Sequence, residues 1–152
     1  MSIWWSLRLR REAASVPLAR RLLLGTMETA GVDPDVSFDL SVALSEACAN
    51  AVEHGGEVGA GVSSSAEYRV TAYLDGEKCR IEVTDSGPGF PVSRGRRGAL
   101  RSVQCTAEDG RGLGLIEQLT DHVHYRNRPG RGAVVSFDKI LKWREGALLM
   151  AS

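Results

Sequence analysis

The chain opens with a strict alternation of apolar and polar positions. Ile3, Trp5, Leu7 and Leu9 fall on one side of residues 3–9, and Trp4 falls on the other side with serine and arginine. A period of two residues is typical of a β-strand that buries one face. The pattern therefore predicts an amphipathic strand with Trp4 on its solvent-exposed side.

The spacing of the apolar residues then becomes helical. Residues 13–30 repeat at the helical period and are followed by Gly31, which favours a helix end. A second helix is predicted from the Asp-Pro-Asp sequence at 33–35 to about residue 54, where two glycines follow. Its apolar stripe consists of Leu40, Ala43, Leu44, Ala47 and Ala51.

Two strand pairs are predicted in the second half of the chain. Residues 67–74 and 78–84 flank Asp75-Gly76, a strong hairpin signal, and residues 122–127 and 133–137 flank a Pro-Gly-Arg-Gly turn. Between the pairs, residues 85–110 are rich in Gly, Pro, Ser and Arg, which predicts a long functional loop before a helix near Gly112. Residues 139–152 are expected to form a short helix or a frayed tail.

This order of elements predicts an α+β fold in one domain. Antiparallel strands that come in runs, with helices between the runs, form a sheet with the helices packed on one face. The 152 residues suit a single domain, and 43% hydrophobic with 25% charged residues is an ordinary globular composition. We therefore expect residues 1–152 to fold as one unit.

Charge and cysteine content exclude several classes of function. Nineteen basic and nineteen acidic residues give a net charge of zero, which disfavours direct nucleic-acid binding and attachment to anionic membranes. No apolar run is long enough to span a bilayer, and the three scattered cysteines suggest reduced thiols in the cytoplasm. Only three lysines are present and the Walker A pattern is absent, so any phosphate site must use other groups.

The second helix carries the first candidate site. Glu46 and Asn50 are four residues apart and therefore lie on one side of the helix, together with His54. A carboxamide oxygen suits a hard cation such as Mg²⁺, and a carboxylate can accept a proton from an attacking hydroxyl. The alternative is that both side chains are simply hydrated on the polar face of an amphipathic helix.

Two glycine-rich segments carry the other candidates. In the sequence TDSGPGF, Asp85 ends a strand and can accept a hydrogen bond from an exocyclic amino group, while Gly87 and Gly89 allow close approach of a ligand; an ordinary turn is the alternative. In DGRGLGL, the residues Gly110, Arg111, Gly112, Leu113 and Gly114 lead into a helix N-terminus, which favours anions.

Taken together, the three segments resemble the N, G1 and G2 boxes of the GHKL superfamily of ATP-binding domains. EACANAVEHG, DSGPGF and GRGLGL are most similar to the small anti-sigma-factor serine kinases of bacterial partner switching, and the opening SLRLRREAASVPLARRLL resembles the same group. The resemblance covers nearly the whole chain. It implies the Bergerat fold, a two-layer sandwich with a mixed, mostly antiparallel sheet, and a lid at about residues 90–111.

The resemblance also implies roles for these residues. Asn50 would bind Mg²⁺, Asp85 would accept the adenine amino group, and Glu46 would activate a serine hydroxyl of the protein substrate. The remaining segments would surround ATP: Gly87 and Gly89 at the base, and Gly110, Arg111, Gly112, Leu113 and Gly114 at the phosphates. The implied partners are a sigma factor and a STAS-type anti-sigma-factor antagonist, and a homodimer is left open.

One position departs from the family pattern. The family usually has a hydroxyl residue after a glycine near the last strand, whereas this chain has Ala133 after Gly132. Loss of one hydrogen bond to the base costs about 1 kcal/mol, or roughly fivefold to tenfold in affinity.

The first hypothesis is an ATP-dependent protein-serine kinase that sequesters a sigma factor. The alternative is a catalytically silent module of the same fold that binds a sigma factor or antagonist without phosphate transfer.

Overall fold

A computed structural model of the chain describes residues 2–54, 67–85, 114–128 and 132–145. Two long helices follow a first strand, and four more strands complete the sheet; residues 114–119 are also helical. The elements are β1 (Ile3–Arg10), α1 (Ser15–Ala30), α2 (Pro34–His54), β2 (Glu67–Leu74), β3 (Lys78–Asp85), β4 (His122–Arg128) and β5 (Gly132–Ile140). The predicted α+β class and element order are confirmed.

The five strands form one sheet in the order β1-β2-β3-β5-β4. Every pair of neighbours among these described strands is antiparallel, so the sheet is antiparallel where a mixed one was expected. The reason is the connectivity. The β2–β3 and β4–β5 pairs are hairpins, and both helices lie between β1 and β2, so that β1 returns antiparallel to its partner.

The two faces of the sheet differ because side chains alternate along each strand. The inner face is apolar and is covered by α1 and α2, which form the core together with it. Trp5 marks the contact with α1, since its Nε1 donates a hydrogen bond to Thr26 Oγ1 at 3.1 Å. On the outer face Trp4 is 64% exposed, as the alternation predicted.

Local signals set the helix ends. Gly31 adopts φ 92°, a left-handed conformation that glycine accepts without strain, and its N–H donates back to Met27 O at 2.9 Å. At the start of α2, the Asp33 carboxylate accepts a hydrogen bond from the N–H of Asp35 at 2.8 Å. The predicted apolar stripe of α2 is buried throughout: Leu40, Ala43, Leu44, Ala47 and Ala51.

Two predictions differ from the structure. The β2–β3 turn is centred on Gly76-Glu77, and the Asp75 carboxylate accepts hydrogen bonds from the N–H groups of Glu77 and Lys78 at 2.8 and 2.9 Å. These bonds stabilise the turn and hold the Asp75 pKa below its usual value. The expected helix or frayed end at 139–152 is wrong for its described part. β5 runs to Ile140, and Trp143 then forms a bridge with Val32.

Across the residues that the structure describes, no helix combines the length and apolar character needed to cross a bilayer.

Candidate functional site

Helix α2 runs along the sheet from the start of β3 to its end. Near its N-terminus, Asp39 Oδ2 lies 3.8 Å from Lys139 Nζ, and Lys139 is the register partner of Cys79 at the beginning of β3. Asn50 is three helical turns farther along, or about 16 Å at 1.5 Å per residue. The C-terminal half of α2 therefore lies over the end of the sheet where β3 finishes at Asp85.

Asn50 and Glu46 are one turn apart on α2, and both are half-buried. The Asn50 Nδ2 atom is buried and, within the described parts of the chain, has no hydrogen-bond partner. A buried amide nitrogen without a partner costs about 1–3 kcal/mol. A carboxamide held at this cost suits a ligand that completes its coordination, because its oxygen and nitrogen exchange places by a simple rotation.

A buried hydroxyl links α2 to Asp85. Tyr68 is 2% exposed, and its hydroxyl lies 2.6 Å from Ser15 Oγ at the start of α1 and also hydrogen-bonds to Cys48 on α2. In the sheet register, Tyr68 is directly opposite Asp85. The contact between Cys48 and Tyr68 thus brings the part of α2 that carries Asn50 next to the strand end that carries Asp85.

The polar cluster below the site is uncharged. Burial raises the Cys48 pKa to about 12, against the weaker effect of its hydrogen bond to Tyr68, and burial also raises the Tyr68 pKa. Both side chains are therefore protonated at neutral pH. Asp85, at the C-terminal end of β3 and opposite Tyr68, is the acidic residue next to this cluster, and it is only 8% exposed.

The structure covers one further predicted site position, Gly114, and leaves the rest outside. Gly114 is the first described residue of the helical segment 114–119, and a Cβ added to it would meet no atom of the described residues within 4 Å. Packing within this part of the chain therefore does not require a glycine here. The predictions for Gly87, Gly89, Gly110, Arg111, Gly112 and Leu113, and for the lid at 90–111, lie outside the described residues and stay predictions.

Ala133 lies beside the buried aspartate. Thr84 pairs with Val134, and the same register continued by one residue sets Ala133 opposite Asp85. Ala133 is 4% exposed, so a methyl group occupies the place at which the family pattern would supply a hydroxyl. The departure noted in the sequence therefore lies next to the proposed base-binding carboxylate.

Sequence reasoning missed Ser15 and Tyr68. The alternation of β2 does place Tyr68 on the inner face, and a buried tyrosine hydroxyl requires a partner. That signal was available. The identity of the partner was not, because Ser15 and Tyr68 are 53 positions apart and meet only in the folded chain.

Comparison with known proteins gives a consistent result. The family model described as the histidine kinase-like ATPase domain matches residues 9–139. A serine-protein kinase RsbW of Bacillus licheniformis is 31% identical over 131 residues, which cover 83% of this chain and 78% of that protein. An anti-sigma F factor of Pasteuria penetrans is 32% identical over 117 residues, which cover 74% and 75% of the two chains.

Solved structures share the fold at lower identity. A structure of RsbU and RsbW domains from Mycobacterium tuberculosis matches 92% of the chain with a TM-score of 0.66 and 20% identity, and the chain spans 33% of that longer protein. A chain in the SiaB–SiaC complex of Pseudomonas aeruginosa matches 90% of this chain, which covers 89% of it, with a TM-score of 0.56 and 14% identity. These likenesses concern the fold alone.

Proposed function

The chain belongs to the histidine kinase-like ATPase domain family, and from that premise we propose that it is an ATP-dependent protein-serine kinase of the anti-sigma type. In this proposal it sequesters a sigma factor and phosphorylates a serine of a STAS-type anti-sigma-factor antagonist. The relatives named serine-protein kinase and anti-sigma F factor support it. Both ATP and a sigma factor imply a cytoplasmic protein.

The nucleotide would be held without a lysine. Asn50 would bind Mg²⁺ through its carboxamide oxygen, and Asp85 would accept the adenine amino group in a buried, selective position. Mg²⁺ supplies charge neutralisation for the triphosphate and its leaving group. The glycine-rich segments would complete the pocket: Gly87 and Gly89 at the base, and Gly110, Arg111, Gly112, Leu113 and Gly114 at the phosphates.

Glu46 would act on the protein substrate. Its carboxylate would accept the proton of the substrate serine hydroxyl as that oxygen bonds to the γ-phosphorus, while the bond from phosphorus to the bridging oxygen breaks and ADP leaves with the electron pair. Glu46 lies one helical turn from Asn50, which places the base close to the metal ligand.

The observation that carries the proposal is the Nδ2 atom of Asn50, which is buried and has no hydrogen-bond partner among the residues that the structure describes. Calorimetric titration of Mg·ATP, with GTP as a comparison, tests the nucleotide site in the native chain and in Asp85→Ala. We expect binding of ATP by the native chain and none by the variant. Equal binding by both proteins would contradict the assignment of Asp85.

A second experiment tests the transfer step. Phosphate transfer from labelled ATP to an antagonist protein should be lost in Glu46→Gln and retained in Glu53→Gln, which makes the same change on the same helix. The two variants should bind ATP like the native chain. Equal transfer by Glu46→Gln and the native chain would remove Glu46 as the base.

A silent binding module is the second candidate, and Ala133 favours it. Without a hydroxyl beside Asp85, nucleotide binding is weakened, and a chain of this fold would still be able to hold a protein partner. Partner binding that ignores Mg·ATP, with no phosphoserine detected by mass spectrometry, would favour this function over the kinase.

A homodimer forms part of the proposal. Among the described strands, β1 is at the edge of the sheet, and the groove of about 690 Å³ beside it is lined by Ile3, Leu18 and Leu22 together with Arg21, Gly25, Thr26 and Thr29. Pairing of two β1 edges would cover this groove. Sedimentation equilibrium should give a dimer for the native chain and a monomer for Leu18→Glu; a native monomer would exclude this contact.

A further inference from the structure

Five of the exposed side chains on the outer face of the sheet are aromatic or basic and lie close together. Two are aromatic and three are arginines, all on β1, β2 and the first half of β3. We name them the aromatic–basic patch, which consists of Trp4, Arg8, Arg69, Tyr73 and Arg80. Both long helices pack on the opposite face, so the patch is not part of the core.

The register brings the patch together. Trp4 is directly opposite Tyr73, Tyr73 is opposite Arg80, and Arg8 is opposite Arg69. Trp4 is 64% exposed and Tyr73 38%. Tryptophan, tyrosine and arginine are the residue types that contribute most to binding energy at protein interfaces. Their adjacency on three strands indicates a contact surface rather than scattered exposed residues.

The facing pair of Arg8 and Arg69 does not stabilise the fold. Like charges directly opposite each other on neighbouring strands are destabilising. Arg8 Nε lies 3.9 Å from Glu67 Oε1 between exposed side chains, a distance at which an ion pair contributes little. A pair of residues that lowers the stability of the fold, yet is present on the surface, is expected where the residues serve binding.

The charge of this surface identifies the partner. On the outer face of β1, β2 and β3, five basic side chains (Arg8, Arg10, Arg69, Lys78 and Arg80) outnumber two acidic ones (Glu67 and Glu82), while the whole chain is neutral. A second copy presenting the same face would be repelled. An acidic partner would be attracted.

An adjoining cavity favours a polypeptide over a nucleic acid. The cavity, of about 490 Å³, is lined by side chains of both charges and by hydroxyls: Arg8, Arg69, Glu67, Glu82, Asp85, Thr71, Thr84 and Tyr68. A peptide has backbone N–H donors as well as acceptors and can satisfy such a lining. A phosphate backbone offers acceptors only, so it has no group that donates a hydrogen bond to these carboxylates.

We propose that the aromatic–basic patch docks an acidic polypeptide segment of another protein. Carboxylates of the segment bind Arg8 and Arg69, and an apolar side chain packs on Trp4 and Tyr73. The patch lies on the face of the sheet opposite α2, and the adjoining cavity reaches Tyr68 and Asp85 at the strand end; the docking rests on the patch and does not require nucleotide binding.

Fluorescence anisotropy with the full chain tests the docking. The probe is a labelled synthetic peptide of repeated Glu-Asp-Leu triplets, compared with a Gln-Asn-Leu peptide and a single-stranded oligothymidine. We expect the acidic peptide alone to bind, with an affinity that falls as salt is raised. Failure of the acidic peptide to bind, or tighter binding of the oligothymidine, would overturn the proposal.

Variants with matched charge locate the surface. Arg8→Gln with Arg69→Gln should weaken peptide binding roughly tenfold, as should Trp4→Ser, a single exposed position. The control is Arg20→Gln with Lys142→Gln, which removes the same charge from exposed positions outside the patch. Circular dichroism verifies folding of each protein. Equal loss of affinity in the control, or no loss in both patch variants, would overturn the proposal.

Discussion

Replacement of Tyr68 by phenylalanine tests the polar cluster beneath the site. The substitution removes one hydroxyl and keeps the buried ring. Ser15 Oγ donates its only proton to Glu12 O at 2.8 Å, so in the 2.6 Å contact between the two hydroxyls Tyr68 is the donor. The variant therefore loses this bond and leaves Ser15 with its own donated bond intact.

The expected loss of stability in Tyr68→Phe follows from the hydrogen bonds that the hydroxyl makes. The hydroxyl of Tyr68 bonds to Ser15 and, more weakly, to the Cys48 thiol, so both bonds are lost while Ser15 keeps its own donated bond; the free energy of unfolding should fall by about 1–2 kcal/mol. For a chain of this length the thermal midpoint should fall by about 2–8 °C. Ser15→Ala should cost about 2–3 kcal/mol, because it removes both bonds and leaves the Tyr68 hydroxyl without its acceptor.

Urea unfolding followed by circular dichroism measures the effect. The control is Tyr73→Phe, the same change on the same strand at an exposed position, which should stay within about 0.5 kcal/mol of the native chain. If Tyr68→Phe and Tyr73→Phe were equally stable, the bond between Ser15 and Tyr68 would make no net contribution, and the role of this cluster in joining α1, α2 and β2 would be refuted.

Four other outcomes are expected. Gly25→Ala in α1, where an added Cβ meets nothing within 4 Å, should raise the free energy of unfolding by about 0.5–1 kcal/mol in denaturant titration; a loss would contradict the open space around it. Gly114→Ala should unfold like the native chain but bind Mg·ATP more weakly by calorimetry, and unchanged affinity would remove this position from the phosphate site. Ala133→Thr should bind Mg·ATP about fivefold to tenfold more tightly, and no gain would mean that a hydroxyl here does not reach the base. The Cys48 pKa is raised from 9.0 to about 12, so the unfolded thiol ionises first and stability should fall as the pH rises above 9; Cys48→Ala should show a shallower fall, and an equal slope would exclude this thiol as a source.

The elements were predictable because their signals are local. The period of residues 3–9, the stripe of α2 and the stop at Gly31 each depend on neighbours in sequence, and the structure reproduces them. The turn at Gly76-Glu77 was placed one residue early because the Asp75 side chain, rather than a left-handed glycine, holds it. The strand character at the end of β5 depends on its pairing with β3, which no local pattern reveals.

The candidate site likewise has one part that the sequence predicts and another that only the folded chain shows. The spacing of Glu46 and Asn50 follows from the helix alone, so their shared side was predictable. Whether Asn50 is hydrated or buried depends on how α2 packs on the sheet, and only the folded chain shows its Nδ2 buried. The glycine-rich phosphate segments rest on resemblance, since their residues from 86 to 113 lie outside the described structure.

The pairing of β1 with β2 also has a consequence for synthesis. Arg10 pairs with Glu67, 57 positions later, because both helices are inserted between the two strands. At about 5–20 residues per second, the nascent β1 waits roughly 3–11 s for its partner. During that interval its tryptophans and leucines have no sheet to join. The ribosome-bound chain therefore carries an unpaired strand that is prone to aggregation, and a chaperone acting during translation would protect it.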